Sequence, residues 1–99
     1  MGKLVRDKIP DIIRQDGREP AVTVLGEAEY RAALVAKLFE EATEVSEASP
    51  MEVAEEIADV YEVLRALAAA NRYEWAAIEK TAKAKREERG GFQDRLYLA

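Results

Sequence analysis

A chain of 99 residues with 15 Lys and Arg against 20 Asp and Glu carries a net charge of −5, and it contains neither cysteine nor histidine. These two absences exclude a disulfide framework, thiolate or imidazole metal ligands, and every nucleophile system that needs histidine as its base. If the chain is a hydrolase, carboxylates, cations and a hard metal ion must do the work.

The segment from Lys3 to Ile9 reads as extended or irregular. Pro10 suits the first turn of a short helix, where its missing N–H costs nothing, and Gly17 ends that helix. Ala21-Val22-Thr23-Val24-Leu25 is a short β-prone run. A long helix is expected from Glu27 to Ala48, with Leu34, Leu38, Ala42 and Val45 on one face. Ser49-Pro50-Met51-Glu52 is a start signal: Ser49 caps, Pro50 takes the first helical position and Glu52 closes a capping box. The helix it opens runs to Ala70 and carries Val53, Ile57, Val60, Tyr61, Leu64, Leu67 and Ala68 on its apolar arc. A last helix is expected from Tyr73 to Arg89, ended by Gly90-Gly91, with a short extended tail from Phe92 to Leu98. Alanine occurs 18 times and glutamate 15 times, and both favour helix. The expectation is an all-α bundle of about four helices. It is built round an antiparallel pair, with short extended terminal segments, as a single domain over residues 1–99. The core at this length is modest, and self-association would enlarge it.

No apolar run approaches the ~20 residues of a membrane span. The start Met1-Gly2-Lys3-Leu4-Val5-Arg6 lacks the apolar core of a signal peptide. A soluble cytoplasmic protein is expected, with no membrane contact. The weak net charge also speaks against nucleic acid as a partner.

The charge is unevenly placed. Residues 1–39 carry net +1, residues 40–74 net −8 and residues 75–99 net +2. Within the acidic middle, Glu40-Glu41-Ala42-Thr43-Glu44 and Glu56-Ile57-Ala58-Asp59 each place two carboxylates three residues apart, on one helix face. At ~100° per residue, Glu41 falls inside the Leu34/Leu38/Val45 stripe and Glu44 at its edge. By the same rule Glu56 falls inside the next helix's apolar arc and Asp59 just beyond it, while Glu47, Glu55 and Glu62 point outward. Carboxylates on core-facing stripes need compensation. A divalent cation held by oxygens, Mg²⁺, Mn²⁺ or Ca²⁺, provides it; salt bridges to Lys37, Lys83 or Arg86 are the competing account.

Basic residues gather at both ends. Lys3, Arg6 and Lys8 precede the first helix, and Lys85, Arg86 and Arg89 continue the Trp75/Ile78/Ala82 stripe toward Gly90-Gly91. Both groups suit a phosphate, although helix C-termini also collect cations for dipole reasons.

Taken together, Lys3-Leu4-Val5-Arg6-Asp7-Lys8-Ile9-Pro10, Glu40-Glu41-x-x-Glu44, Glu56-x-x-Asp59 and Arg89-Gly90-Gly91-Phe92 resemble the MazG-like all-α nucleoside triphosphate pyrophosphohydrolases. The branch labelled phosphoribosyl-ATP pyrophosphohydrolase-like is the nearest match, and the resemblance runs from residue 3 to residue 98. One departure is the 11 residues between Glu44 and Glu56, at or just below the usual lower limit, which calls for a minimal helix connection. The resemblance implies Mg²⁺, with Mn²⁺ as a substitute, held by Glu41, Glu44, Glu56 and Asp59. It implies a homodimer or homotetramer. It implies hydrolysis of a nucleotide substrate between its α- and β-phosphates to a monophosphate and pyrophosphate, with house-cleaning of non-standard nucleotides as one use. Glu41 or Glu44 would act on the attacking water. Lys3, Arg6, Lys8, Lys85 and Arg89 would contact phosphate, and Glu40 belongs to the motif but points elsewhere. Hydrolysis of phosphoribosyl-ATP and a non-enzymatic helical interaction module are the alternative readings.

Overall fold

Four helices follow one another along the chain: α1 (Ile9–Gln15), α2 (Glu27–Glu47), α3 (Val53–Ala70) and α4 (Trp75–Arg89). The computed structural model describes residues 2–99; Met1, part of the N-terminal run read above, lies outside the described residues. The all-α expectation holds, and among the described residues there is no strand. Ala21–Leu25 in particular stays irregular, with Val22 and Val24 exposed. A β-prone run with no second strand to pair with leaves its backbone groups to water.

The α2–α3 pair is the main packing unit. Five residues, 48–52, turn the chain back. Ser49 accepts at its carbonyl from the N–H groups of Glu52 and Val53, both at 3.0 Å, and the Glu52 carboxylate accepts from the Ser49 N–H at 3.2 Å. That last bond is one half of the expected capping box, and the Ser49 side chain, followed by this N–H, holds the Glu52 carboxyl below its ordinary pKa. Regular helix begins only at Val53, so Pro50 sits in the turn and not at the first helical position.

Leu34 on α2 and Val63 and Ala68 on α3 form the buried apolar core. At the end of α3 the side-chain amide of Asn71 donates to the Leu67 carbonyl at 2.8 Å, Arg72 takes a left-handed φ of 65°, and the Tyr73 N–H returns to the Ala68 carbonyl at 2.9 Å. This closure delays α4 to Trp75, two residues later than its sequence expectation. The Trp75 ring meets Tyr61 edge-on at 5.5 Å, and the Arg65 guanidinium lies over both rings at 5.4 and 5.8 Å. Beyond Ile78, α4 and the tail are exposed throughout. The tail turns at Phe92, whose carbonyl accepts from the Arg95 N–H at 3.2 Å, and is irregular after it.

Among the described residues no helix is long and apolar enough to cross a membrane.

Candidate metal centre

The return of α3 along α2 sets Glu41 and Glu44 opposite Glu56 and Asp59. One carboxylate oxygen from each of the four lies within 4.8 Å of all the others. Oxygens sharing one hard cation are separated by at most about 4–5 Å, twice the usual metal–oxygen distance. The four residues therefore fit a single divalent ion bound through oxygen. Glu41 is only 6% exposed, Glu56 and Asp59 are half-buried, and Glu44 is exposed at the rim. This order follows from the helical angles: Glu41 projects into the Leu34 stripe and Glu44 sits at its edge.

Two oxygens in the cluster lack a partner. Oε2 of Glu41 and Oε2 of Glu56 are both buried and accept no hydrogen bond. Buried polar atoms left in this state cost free energy, and a cation between them removes the cost. Burial pushes the Glu41 carboxyl above its ordinary pKa; the Lys37 ammonium pulls it part of the way back, and the neighbouring Glu44 adds to the rise.

The cations around the cluster are few. Lys37, one turn before Glu41 on α2, lies 3.4 Å from it and 3.5 Å from Glu40. Arg6 donates from Nη2 to Oδ1 of Asp59. Lys3 lies 3.8 Å from Glu40. The competing salt-bridge account is thus realised by Lys37 for Glu41, while Lys83 and Arg86 form no ion pair with the four carboxylates among the described residues.

The N-terminal segment runs past the α2–α3 pair and encloses a cleft of about 640 Å³. Lys3, Arg6 and Lys8 line it together with Glu41 and Asp59. Three of the five residues expected to contact phosphate are therefore gathered at the carboxylates. Lys85 and Arg89 lie elsewhere, in a second cleft of about 460 Å³ with Arg86, Gly90, Gly91 and Phe92. The cleft beside the carboxylates also includes Tyr30 and Glu62. Tyr30 stands four residues before Leu34 on the same stripe, a signal that was present in the sequence. Glu62 read as pointing outward, and only the course of the N-terminal segment turns its position into a wall.

The chain matches no protein family model, and no solved structure matches it. A protein of Mycolicibacterium smegmatis (strain ATCC 700084 / mc(2)155), described as an uncharacterized protein, is 48% identical over 54 residues. The match takes in 54% of this chain and 55% of that protein, so the chain spans about half the length of this relative.

Proposed function

We propose that the protein is a Mg²⁺-dependent nucleotide pyrophosphohydrolase that cleaves between the α- and β-phosphates to yield a nucleoside monophosphate and pyrophosphate. The observation that carries this reading is the apposition of four carboxylates, two of them with buried unpartnered oxygens, beside a cleft that Glu41 and Asp59 line together with Lys3, Arg6 and Lys8. Acidic clusters alone are common. One that shares a cleft with three cations matches the charge pattern of a magnesium–polyphosphate complex.

Glu41, Glu44, Glu56 and Asp59 would hold the metal. When bound, magnesium neutralises phosphate charge and lowers the pKa of water in its coordination shell. The remaining work falls to the chain itself. Lys3, Arg6 and Lys8 bind and orient the phosphates, which is most of what phosphoryl chemistry asks of a protein. Glu41 or Glu44 orients the attacking water and accepts its proton. Lys37 holds Glu41 in place through its ion pair.

The test is a pyrophosphate-release screen over standard and modified nucleoside triphosphates and phosphoribosyl-ATP, with Mg²⁺ or Mn²⁺. Turnover should require the metal and should fall by about 100-fold in Glu56→Ala and Asp59→Asn, with the helical circular dichroism spectrum kept. If no nucleotide is cleaved, or if both variants turn over at the native rate, the reading fails.

A further inference from the structure

The cleft beside the carboxylates continues past the part that metal and phosphate would use. Tyr30, Leu34, Val63 and Ala66 also line it. Leu34 and Val63 are buried, and Tyr30 and Ala66 are half-buried. Because α3 returns along α2, these residues lie together, in one direction from the carboxylates along the helix axes. Leu34 stands seven residues before Glu41 and Ala66 seven residues after Asp59. At 1.5 Å per residue each is displaced by about 10 Å, or two turns. Tyr30 lies one turn further on.

Between the two ends stands Glu62, three residues after Asp59, which lines the same cleft. It belongs neither to the group of four carboxylates nor to any ion pair among the described residues. An anion in this place repels phosphate and attracts a neutral donor. An ionised carboxylate has two accepting oxygens and no proton to give, which suits the two neighbouring hydroxyls of a ribose.

We propose that this half of the cleft is a nucleoside subsite. Glu62 accepts hydrogen bonds from the ribose 2′- and 3′-hydroxyls, the base stacks on Tyr30 beside Leu34, Val63 and Ala66, and ribonucleotides are preferred to 2′-deoxyribonucleotides. The inference rests on the nucleotide reading of the metal end and adds the sugar and base that reading leaves open. Order and spacing carry it. Along a nucleotide, the ribose follows the α-phosphate by about one helical turn's length and the base by about two. Along the cleft, Glu62 follows Asp59 by one turn, and the apolar residues follow by two. An apolar bed with one aromatic face is what a base of either ring size can stack on.

Matched ribo- and 2′-deoxyribonucleoside triphosphates carrying the same base test the proposal, by steady-state kinetics with Mg²⁺ and by calorimetry with their uncleavable α,β-methylene analogues. The native chain should favour the ribonucleotide by about 10-fold in kcat/KM and in affinity, the worth of one hydrogen bond to a charged group. Glu62→Ala should bring that ratio to about 1, and Glu62→Gln, which keeps one accepting oxygen, should give a ratio in between. Mg²⁺ affinity without nucleotide should stay within about fivefold of native in both variants. Tyr30→Ala should weaken nucleotide binding by about 10-fold whatever the sugar, and Tyr30→Phe should keep it. Equal use of both sugars by the native chain overturns the proposal. So does a ribose preference that survives in Glu62→Ala, a larger loss of Mg²⁺ affinity in that variant, or unchanged nucleotide binding in Tyr30→Ala. All four results leave the pyrophosphohydrolase reading standing, because nucleotide is still cleaved. A native chain that binds and cleaves no nucleotide overturns both.

Discussion

Arg6 and Asp59, separated by 53 positions in sequence, are joined by a charge-assisted hydrogen bond from Nη2 to Oδ1. The guanidinium thus occupies one edge of the carboxylate cluster as a counter-charge and also faces the cleft in which a phosphate would lie. Both partners are partly exposed, so the pair adds at most about 1 kcal/mol to stability. In the proposed enzyme its weight would fall on ligand binding.

Arg6→Ala should therefore split two properties of the proposed enzyme. Without nucleotide, Mg²⁺ should bind up to about fivefold more tightly, since a competing cation is gone. The kcat/KM for a nucleoside triphosphate should fall by about 10- to 100-fold, the worth of one charged hydrogen bond to phosphate. Calorimetry and steady-state kinetics read the two effects. A loss in both, or in neither, would remove Arg6 from phosphate binding.

Lys37→Met keeps the apolar stem of the side chain but removes the ammonium 3.4 Å from Glu41. The metal-free protein should lose about 1–3 kcal/mol of stability, because a buried carboxylate is left unanswered. Saturating Mg²⁺ should return most of that loss. Thermal melts of both proteins with and without Mg²⁺ decide it: an equal metal-induced shift in the two proteins would contradict the account.

The raised pKa of Glu41 gives a signed pH dependence. Its folded value lies above the unfolded one, so the folded state binds the extra proton and ionisation of Glu41 works against folding. The penalty is full above the folded pKa and is relieved as pH falls through that value toward the ordinary 4.5. Metal-free Glu41→Gln should be more stable than the native chain at neutral pH, and the advantage should shrink as pH falls through that window. Urea titrations of both proteins at a series of pH values measure the difference, in which groups common to both cancel. An advantage that grew on acidification would reverse the assignment.

Arg72 ends α3 with φ of 65°, a conformation that costs a side-chain-bearing residue about 1–2 kcal/mol and costs glycine nothing. Its ion pair with Glu27 is long, at 3.8 Å, and fully solvated on both sides. Arg72→Gly should stabilise the protein by about 0.5–1 kcal/mol after the extra unfolded-state entropy of glycine is counted. A melt at matched protein concentration that shows no gain would place the strain elsewhere.

The helices and the four carboxylates could be read from the sequence because both depend on local periodicity. Leu34, Glu41 and Val63 sit where ~100° steps put them, and Ser49 and Glu52 mark the turn before α3 by short-range hydrogen bonding alone. The β-prone run at Ala21–Leu25 forms no strand for the opposite reason, since pairing is non-local and there is no partner strand among the described residues. The Arg6–Asp59 contact was equally hidden. It is made by an irregular segment whose path no periodicity fixes, and that path brings Lys3, Arg6 and Lys8 to the cleft while Lys85 and Arg89 stay in another. The burial of Glu41 was legible from its angle; the missing partners of its Oε2 and that of Glu56 required coordinates.

The edge-on contact between Trp75 and Tyr61, capped by Arg65, has an optical consequence. The chain contains one tryptophan, and it stands at the junction where α4 leaves the helix pair. Its fluorescence is an intrinsic reporter of that junction, uncontaminated by other indoles, and its emission wavelength and anisotropy register whether the Trp75–Tyr61 contact is kept before any label is attached.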